Sequence, residues 1–585
     1  MKTSRSYVIL ACALIFSATV RAQTNTATGS QVLGNNTSGT NNTGTGFEAL
    51  FYNTAGSLNT ATGIASLYSN TTGGSNTATG VQALFSNSTG SFNTATGTST
   101  LYTNTSGSEL TATGYAALVF NTTGAYNLAD GYASLYSNTT GSENTATGAQ
   151  ALYTNTTGSF NTATGYSALL SNTIANDNSA FGFSSLKANT TGGDNTAVGF
   201  QALRHNTVAI QNTALGSQAL FSNTGDNLGI EDGDGNVATG YQALYANTLG
   251  SFNTASGTQA LYSNLGDNHN ANEGSGNVAM GYRALFSNTY GSENTAVGTA
   301  ALTNNIGDTS GNSHGSFNVA VGLYAMYENT MGASNIAIGT QSLDANTTGS
   351  FNAAIGGGAL IALTTGDNNV ALGNDALSSA TTGADNISIG TASGTGVTTG
   401  SSNIEIGNSG VSTDGTGAGT SASAIRIGTS GTQLQTFIAG ITGTTLASGA
   451  EVFVSSTGQL GNATSSRRYK TDIQDMGSAS EAILALRPVS FRYKHEIDPT
   501  DTPQFGLVAE EVEKVSPDLV VYDANHQVYT VRYTAVNAML LNEFRKQHDT
   551  ILAQEKKIAA LTAGLDEVAA LRARLDALEK AQSAR

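Results

Sequence analysis

Between residues 24 and 430 one short pattern of small, polar and apolar positions recurs along the chain. Its frame is Asn-x-Ala-x-Gly-x-x-Ala-Leu. The glycine falls at Gly29, Gly46, Gly63, Gly80, Gly97, Gly114, Gly131, Gly148, Gly165, Gly182, Gly199 and Gly216, always 17 residues apart. The series resumes at Gly240 and runs through Gly257, Gly281, Gly298, Gly322, Gly339, Gly356, Gly373 and Gly390 to Gly407, with a weaker copy at Gly428. The steps that leave Gly216, Gly257 and Gly298 are 24 residues long, so each holds a seven-residue insertion. Around 22 copies of so short a unit mark a solenoid.

One copy reads Asn76-Thr77-Ala78-Thr79-Gly80-Val81-Gln82-Ala83-Leu84-Phe85-Ser86-Asn87-Ser88-Thr89-Gly90. Asn-Thr-Ala-Thr alternates as a short strand does, Gln-Ala-Leu-Phe supplies the large apolar side chain, and Asn, Thr and Gly make the turns, so two short strands joined by tight turns are expected in each coil. The fold class expected is an all-β solenoid, a β-roll, over residues 23–428. In later copies the two threonines become Val319/Val321, Ile336/Ile338, Val370/Leu372 and Ile387/Ile389. That drift reads as two inward positions where Thr stands in for Val, and it argues against a water-facing threonine array of the ice-binding kind. The alanine between them (Ala61, Ala78, Ala95, Ala238, Ala279) stays small, as close approach of a second chain or a tight contact within one chain requires. A coil with one or two large apolar side chains buries little surface, so association with other copies is expected.

Past residue 428 the repeat decays. Thr436-Phe437-Ile438, Val452-Phe453-Val454 and Gly458-Gln459-Leu460-Gly461 read as short strands of a neck spanning 429–464. Residues 465–533 then alternate as a small α+β domain: a helix at Ser480–Leu486 stopped by Pro488, a strand at Val489–Tyr493, a helix before Pro517, and a hairpin from Leu519–Tyr522 to Val528–Val531. From 534 to 585 the pattern is one long helix. Phe544, Ile551, Ile558, Leu561, Leu565 and Val568 follow coiled-coil spacing, with Gln547 and Gln554 in the seam and a phase slip towards Leu571, Leu575 and Leu578.

Charge narrows the partners. Forty acids against 23 Lys and Arg give a net charge of -17, and most of the cations lie beyond residue 465. No basic stripe is present for nucleic acid. Residues 1–22 read as a secretory signal, basic at Lys2 and Arg5, apolar from Tyr7 to Val20, and cut between Ala22 and Gln23. The sole cysteine, Cys12, lies inside it, either as a lipidation site or, more simply, as part of the apolar run. A mature chain without cysteine has neither disulfides nor thiol chemistry. No later segment is apolar enough for a transmembrane helix, so the mature chain is expected to be secreted or held at the cell surface.

Candidate chemistry in the repeats is sparse. Asp226, Asp232 and Asp234 in the first insertion offer oxygens for Ca²⁺, against the plainer reading of a solvated acidic loop. No cofactor is expected. Glu109, Glu143, Asp194 and Glu293 form no recurrent carboxylate pair of the kind glycan cleavage needs.

The remaining candidate is the seam Ala463-Thr464-Ser465-Ser466-Arg467-Arg468-Tyr469-Lys470, where a serine stands five residues before a lysine. A serine hydroxyl needs a base, and lysine serves only where burial favours its neutral form. This stretch, the later Phe505-Gly506-Leu507-Val508-Ala509-Glu510-Glu511-Val512 and the terminal helix together resemble the endosialidase-type intramolecular chaperones. Those are self-cleaving C-terminal domains of trimeric fibrous proteins. The family begins Ser-Asp-x-Arg-Leu-Lys; here Ser466 replaces the Asp and Tyr469 the Leu. The resemblance implies that Ser465 is the nucleophile and Lys470 its base in cutting the Thr464–Ser465 bond, and that the helix belongs to a trimeric coiled coil. The repeats resemble the head repeats of trimeric autotransporter adhesins, in which three β-rolls pack about an axis. Those heads usually repeat every 14 to 16 residues, and no membrane β-barrel follows here. Together they imply a homotrimeric, adhesin-like fibre with surface glycans or host proteins as partners. The alternative is a glycan-binding or glycan-degrading spike carrying the same chaperone.

Overall fold

The computed structural model of the chain describes residues 24–226, 232–266, 273–308, 314–411, 423–429, 432–433, 435–438, 451–455, 458–462, 464–523 and 525–584. The expected signal, including Ala22 and Gln23, lies outside them. Two compact units, Met1–Thr429 and Ser430–Arg585, are described separately.

The first unit is a β-solenoid. Each coil contributes one three-residue strand, from β1 (Thr26–Thr28) to β23 (Ile425–Ile427). Every strand pairs in parallel with the next, Thr77 opposite Thr94 and Ala78 opposite Ala95. The long steps do not disturb this register: Ala214 of β12 (Thr213–Leu215) still faces Ala238 of β13 (Val237–Thr239).

After the strand, the coil turns at a glycine whose geometry admits nothing else. Gly80 has φ 140°, and a Cβ there would collide with the carbonyl oxygen of Gly97 in the next coil. The facing segment then alternates hand. Gln82 and Leu84 hold φ 58° and 52°, a conformation that costs an L-residue about 1–2 kcal/mol. The alternation turns successive N–H groups to opposite neighbours. Gln82 donates back to the Ile64 carbonyl at 2.9 Å, while Leu84 and Ser86 donate forward to Thr100 and Tyr102 at 2.9 and 3.0 Å. The segment is thus bonded on both sides.

In most coils two buried asparagines complete the hydrogen bonding; Leu110 replaces the first in one coil, and Leu363, Ala380 and Val397 replace the second in three. The Asn76 backbone N–H donates to Asn59 Oδ1 at 3.0 Å. Its Nδ2 reaches the Gly90 carbonyl at 2.9 Å, the same oxygen that accepts from Asn87 Nδ2 at 2.9 Å. Asn87 also donates to Asn70 Oδ1 in the preceding coil. Each asparagine therefore binds its own coil's turn and the neighbouring coil. A buried amide so fully bonded is stabilising, whereas one robbed of its partners is costly.

The apolar core corrects the expected facing of the strand. Ala78, Ala83 and Leu84 have no exposure, whereas Thr77 and Thr79 face outward, and the same pattern holds from β3 (Thr60–Thr62) onward. The alanine is the inward residue and its neighbours are not. The reason is thickness. The strand lies directly across from the facing segment, so that a Cβ added at Gly44 would meet Val32 and Leu50. A methyl is all that fits opposite leucine. Outer positions are free to vary, which is how Asp130 and Phe181 are accommodated. The argument against a water-facing threonine array falls with the inward reading.

The second unit consists of small antiparallel hairpins and helices. Phe453–Val454 pairs with Leu460–Gly461, Val489–Phe491 with Gln504–Gly506, and Val520–Tyr522 with Val528–Val531. Helix Ala509–Val515 and a 3-10 turn at Pro517–Leu519 cover the last hairpin. Val512, Leu519, Val520, Val531 and Met539 form a core no larger than that, joined by Ile483, Leu486 and Leu507 from its edge. A helix of 50 residues, Tyr533–Gln582, follows.

Truncating one buried amide, Asn76→Ala, should strand the Asn93 backbone N–H in the next coil, remove one of the two donors to the Gly90 carbonyl, and destabilise that part of the solenoid by about 1–3 kcal/mol. Gly80→Ala should cost at least as much through strain and collision. Faster amide hydrogen exchange confined to the coils around residue 80, with distant coils unaffected, is the expected readout; uniform exchange along the solenoid would contradict it.

Candidate functional site

The seam forms an exposed, short turn at the head of the second unit. Arg467–Tyr469 make one turn of 3-10 helix with Ser466 at its N-terminal boundary, and Lys470 closes it by donating its N–H to the Arg467 carbonyl at 3.1 Å. The Arg468 guanidinium lies 4.8 Å over the Tyr469 ring. Thr464, Ser465, Ser466 and Lys470 are all exposed. The turn brings serine and lysine to the same short stretch, but no hydrogen bond joins Ser465 to Lys470 among those described. In one chain the pair is laid out but not enclosed.

The most enclosed polar cluster of this unit is elsewhere. The 3-10 helix Gly477–Ala485 packs on the terminal helix through Ser480, which is fully buried. Ser480 Oγ donates to Glu543 Oε1 at 2.5 Å and accepts from Asn542 Nδ2 at 2.7 Å. Lys546 Nζ lies 2.7 Å from Glu543 Oε1 and 3.2 Å from Glu481 Oε1. Hydrogen bonds from Lys546 and then Ser480 hold the Glu543 carboxyl below the usual range. Only Met539 and Glu543 are buried along the terminal helix. They stand one turn apart on its inner face, a spacing visible in the sequence but not singled out there.

Beyond that contact the terminal helix carries its apolar side chains in the open. Phe544, Ile551, Ile558, Leu561, Leu565 and Val568 are each more than half exposed. At about 1.5 Å per residue the helix is on the order of 75 Å long, and it keeps this stripe to its end.

In the first insertion the three acids do different things. Asp234 Oδ1 accepts the Ile210 backbone N–H at 2.7 Å, an ordinary turn-closing role. Asp232 is buried, and that burial, with Asp226 beside it, pushes its carboxyl up to about 6. The third insertion places Asp308 and His314 at the same coil positions, 2.8 Å apart. In the first and third insertions these pairs join the two described ends of the long step. Among the described residues no three metal-binding side chains converge, so the acids expected as Ca²⁺ ligands resolve into a carboxyl pair and a turn cap.

Residues 465–521 match the family described as chaperone of endosialidase. The match opens on Ser465. No curated protein and no solved structure matches the chain.

Two pH-dependent outcomes follow from these carboxyls. Asp232 is raised, so stability present below pH 3.8 is lost as pH rises through about 6. Asp232→Asn should raise the thermal transition at pH 7.5 and leave it unchanged at pH 4, with Asp226 and Asp234 intact. Glu543 is lowered, so its contribution is present above its unfolded value and lost on acidification. Glu543→Gln should lower the transition of the second unit at pH 7 and match wild type at pH 3.

Proposed function

We propose that the chain is exported as a homotrimeric, adhesin-like fibre. In this reading the C-terminal unit aligns three solenoids, then releases itself by cutting the Thr464–Ser465 bond. The observation that carries it is the chaperone match beginning at Ser465, directly after the neck. Export rests on the basic and apolar pattern of residues 1–22.

Two surfaces support assembly from copies of this chain. One is the open apolar stripe of the terminal helix, which spacing suits to a coiled coil. The other is the outer face of the solenoid strands, where threonine gives way to isoleucine towards the chaperone. Ile336, Ile338, Val370, Leu372, Ile387 and Ile389 are each 37–44% exposed. So continuous an apolar face on one chain is a contact surface.

The chemistry of release follows from enclosure. For cleavage Lys470 must take the Ser465 proton, so it must be neutral, and desolvation is what favours a neutral lysine. Packing of three second units around the seam supplies that desolvation. The Ser465 oxygen then attacks the Thr464 carbonyl carbon, the proton passes through Lys470 to the leaving amine, and water completes hydrolysis. A seam that is open in one chain and closed in three couples cutting to assembly.

Expression of the whole chain should yield fragments beginning at Gln23 and at Ser465 by mass. Ser465→Ala and Lys470→Ala should each leave an uncut trimer. An uncut wild-type chain that still assembles would refute self-release, and a cut monomer would refute its coupling to assembly.

A further inference from the structure

The outer side of the facing segment carries aromatic rings at two positions, the first and the fifth after each repeat glycine. At the fifth position they stack coil on coil: Tyr68 and Phe85 at 5.0 Å, Phe85 and Tyr102 at 5.0 Å, all nearly parallel. Stacked rings hide their faces in one another and show only edges. The ladder breaks at Val119, which is buried, and resumes with Tyr136 and Tyr153 at 4.9 Å. Tyr102 and Tyr136 therefore stand two coils apart, about 10 Å at the usual strand spacing, with Val119 between them and the Phe120 ring on the Tyr136 side of the gap.

Opposite this gap, at the first position, Tyr115 and Tyr132 stack at 5.6 Å and are more than half exposed. Between the two walls runs the second position, where Ala116 and Ala133 make a low floor. Gln82 and Gln150 close its two ends. The result is a trough of about 440 Å³ spanning several coils, with no charged residue in its lining. Phe120, outside the lining, braces Tyr136 edge to face at 5.1 Å.

We propose that this trough binds a neutral, extended polysaccharide. Every polar side chain in it, five phenol hydroxyls, the Ser99 hydroxyl and two side-chain amides, both donates and accepts hydrogen bonds. That matches a ligand bearing hydroxyls along its whole length. A proline-rich peptide offers carbonyl acceptors alone, and an anionic chain would meet no cation. The exposed Tyr115–Tyr132 stack and the Tyr102 ring, unstacked on its Val119 side, supply the apolar surface on which the C–H face of a sugar ring packs. This gives the adhesin reading its site and rests on that reading, while the trough itself is complete within one chain.

The test fills the trough with a residue that the fold already uses. Gln82 and Gln150 occupy the floor position with φ 58° and 60°, and Ala116 and Ala133 have φ 57° and 53°. The double variant Ala116→Gln/Ala133→Gln is therefore expected to fold normally. Calorimetric titration of the assembled fibre with cellohexaose, maltohexaose, chitohexaose and a neutral galactan hexaose should show binding of at least one. The double variant should weaken it at least tenfold with the mass of the assembly unchanged. If that variant does not assemble, Gln82→Ala/Gln150→Ala gives the same reading by trimming the half-buried amides at the trough's two ends. No binding of any of the four, equal binding by both proteins, or binding of a proline-rich peptide in their place would overturn the proposal. A monomeric wild type that binds would instead refute the assembly reading and leave the trough standing.

Discussion

The solenoid depends on hydrogen-bonded contact between coils, and above all on the two buried asparagine ladders. Small coils leave little room for a hydrophobic core. Alanine and leucine alone meet across the interior, so burial of apolar area does only part of the stabilising. The rest comes from directed bonds. Each asparagine satisfies its own turn and its neighbour's backbone, and the alternating backbone hand lets the facing segment bond forward and back. Left-handed Gln82 and Leu84 are tolerable because the ladder they permit is repeated in every coil. Glycine at the corner is required for a different reason: the next coil's carbonyl occupies the place of its Cβ.

Legibility in the sequence followed from which constraints are periodic. Seventeen-residue spacing revealed the solenoid, the strand within it and the seven-residue loops, because each coil must return to the same place. Facing was misread, and the sequence held the means to avoid that. Residues that vary among Thr, Ile, Asp130 and Phe181 cannot fill a fixed interior, whereas a position that stays Ala or Gly as far as Ala371, before Ser388, Glu405 and Arg426 replace it, can. Expecting the larger residue inside assumes a core deep enough to want it. The asparagines looked like turn residues because turn and ladder use the same amide. At the C-terminal end the helices and hairpins were legible from proline stops and alternation. The Ser480–Glu543 cluster was not, since 63 residues separate its partners.

The trough belongs to the illegible class for a further reason. No single position is unusual: tyrosine, alanine and glutamine each occur throughout the repeats. What makes the site is the loss of one ring, at Val119, next to two coils with a small floor. A break in a regular array is seen only when neighbouring coils are placed side by side. Regular repetition thus builds the scaffold, and departures from it carry what is specific.

The same logic bears on register in the proposed trimer. Coils of equal length could align one step out at little cost, because every side-chain type would meet its own kind. The three insertions do not follow every coil; they alternate with coils of normal length, so a slip of one places a loop against a coil without one. A slip of two realigns two of the three loops, but it leaves the third unmatched and shifts the drift from threonine to isoleucine on the strand face. The most apolar coils lie nearest the chaperone, where three chains would first be held together. Alignment that begins there and zips towards the threonine-rich coils makes its strongest contacts first, when the chain has most ways of being wrong. In the proposed trimer a chaperone at the apolar end would be needed only for that first contact, so the proposed release would leave the fibre's contacts in place.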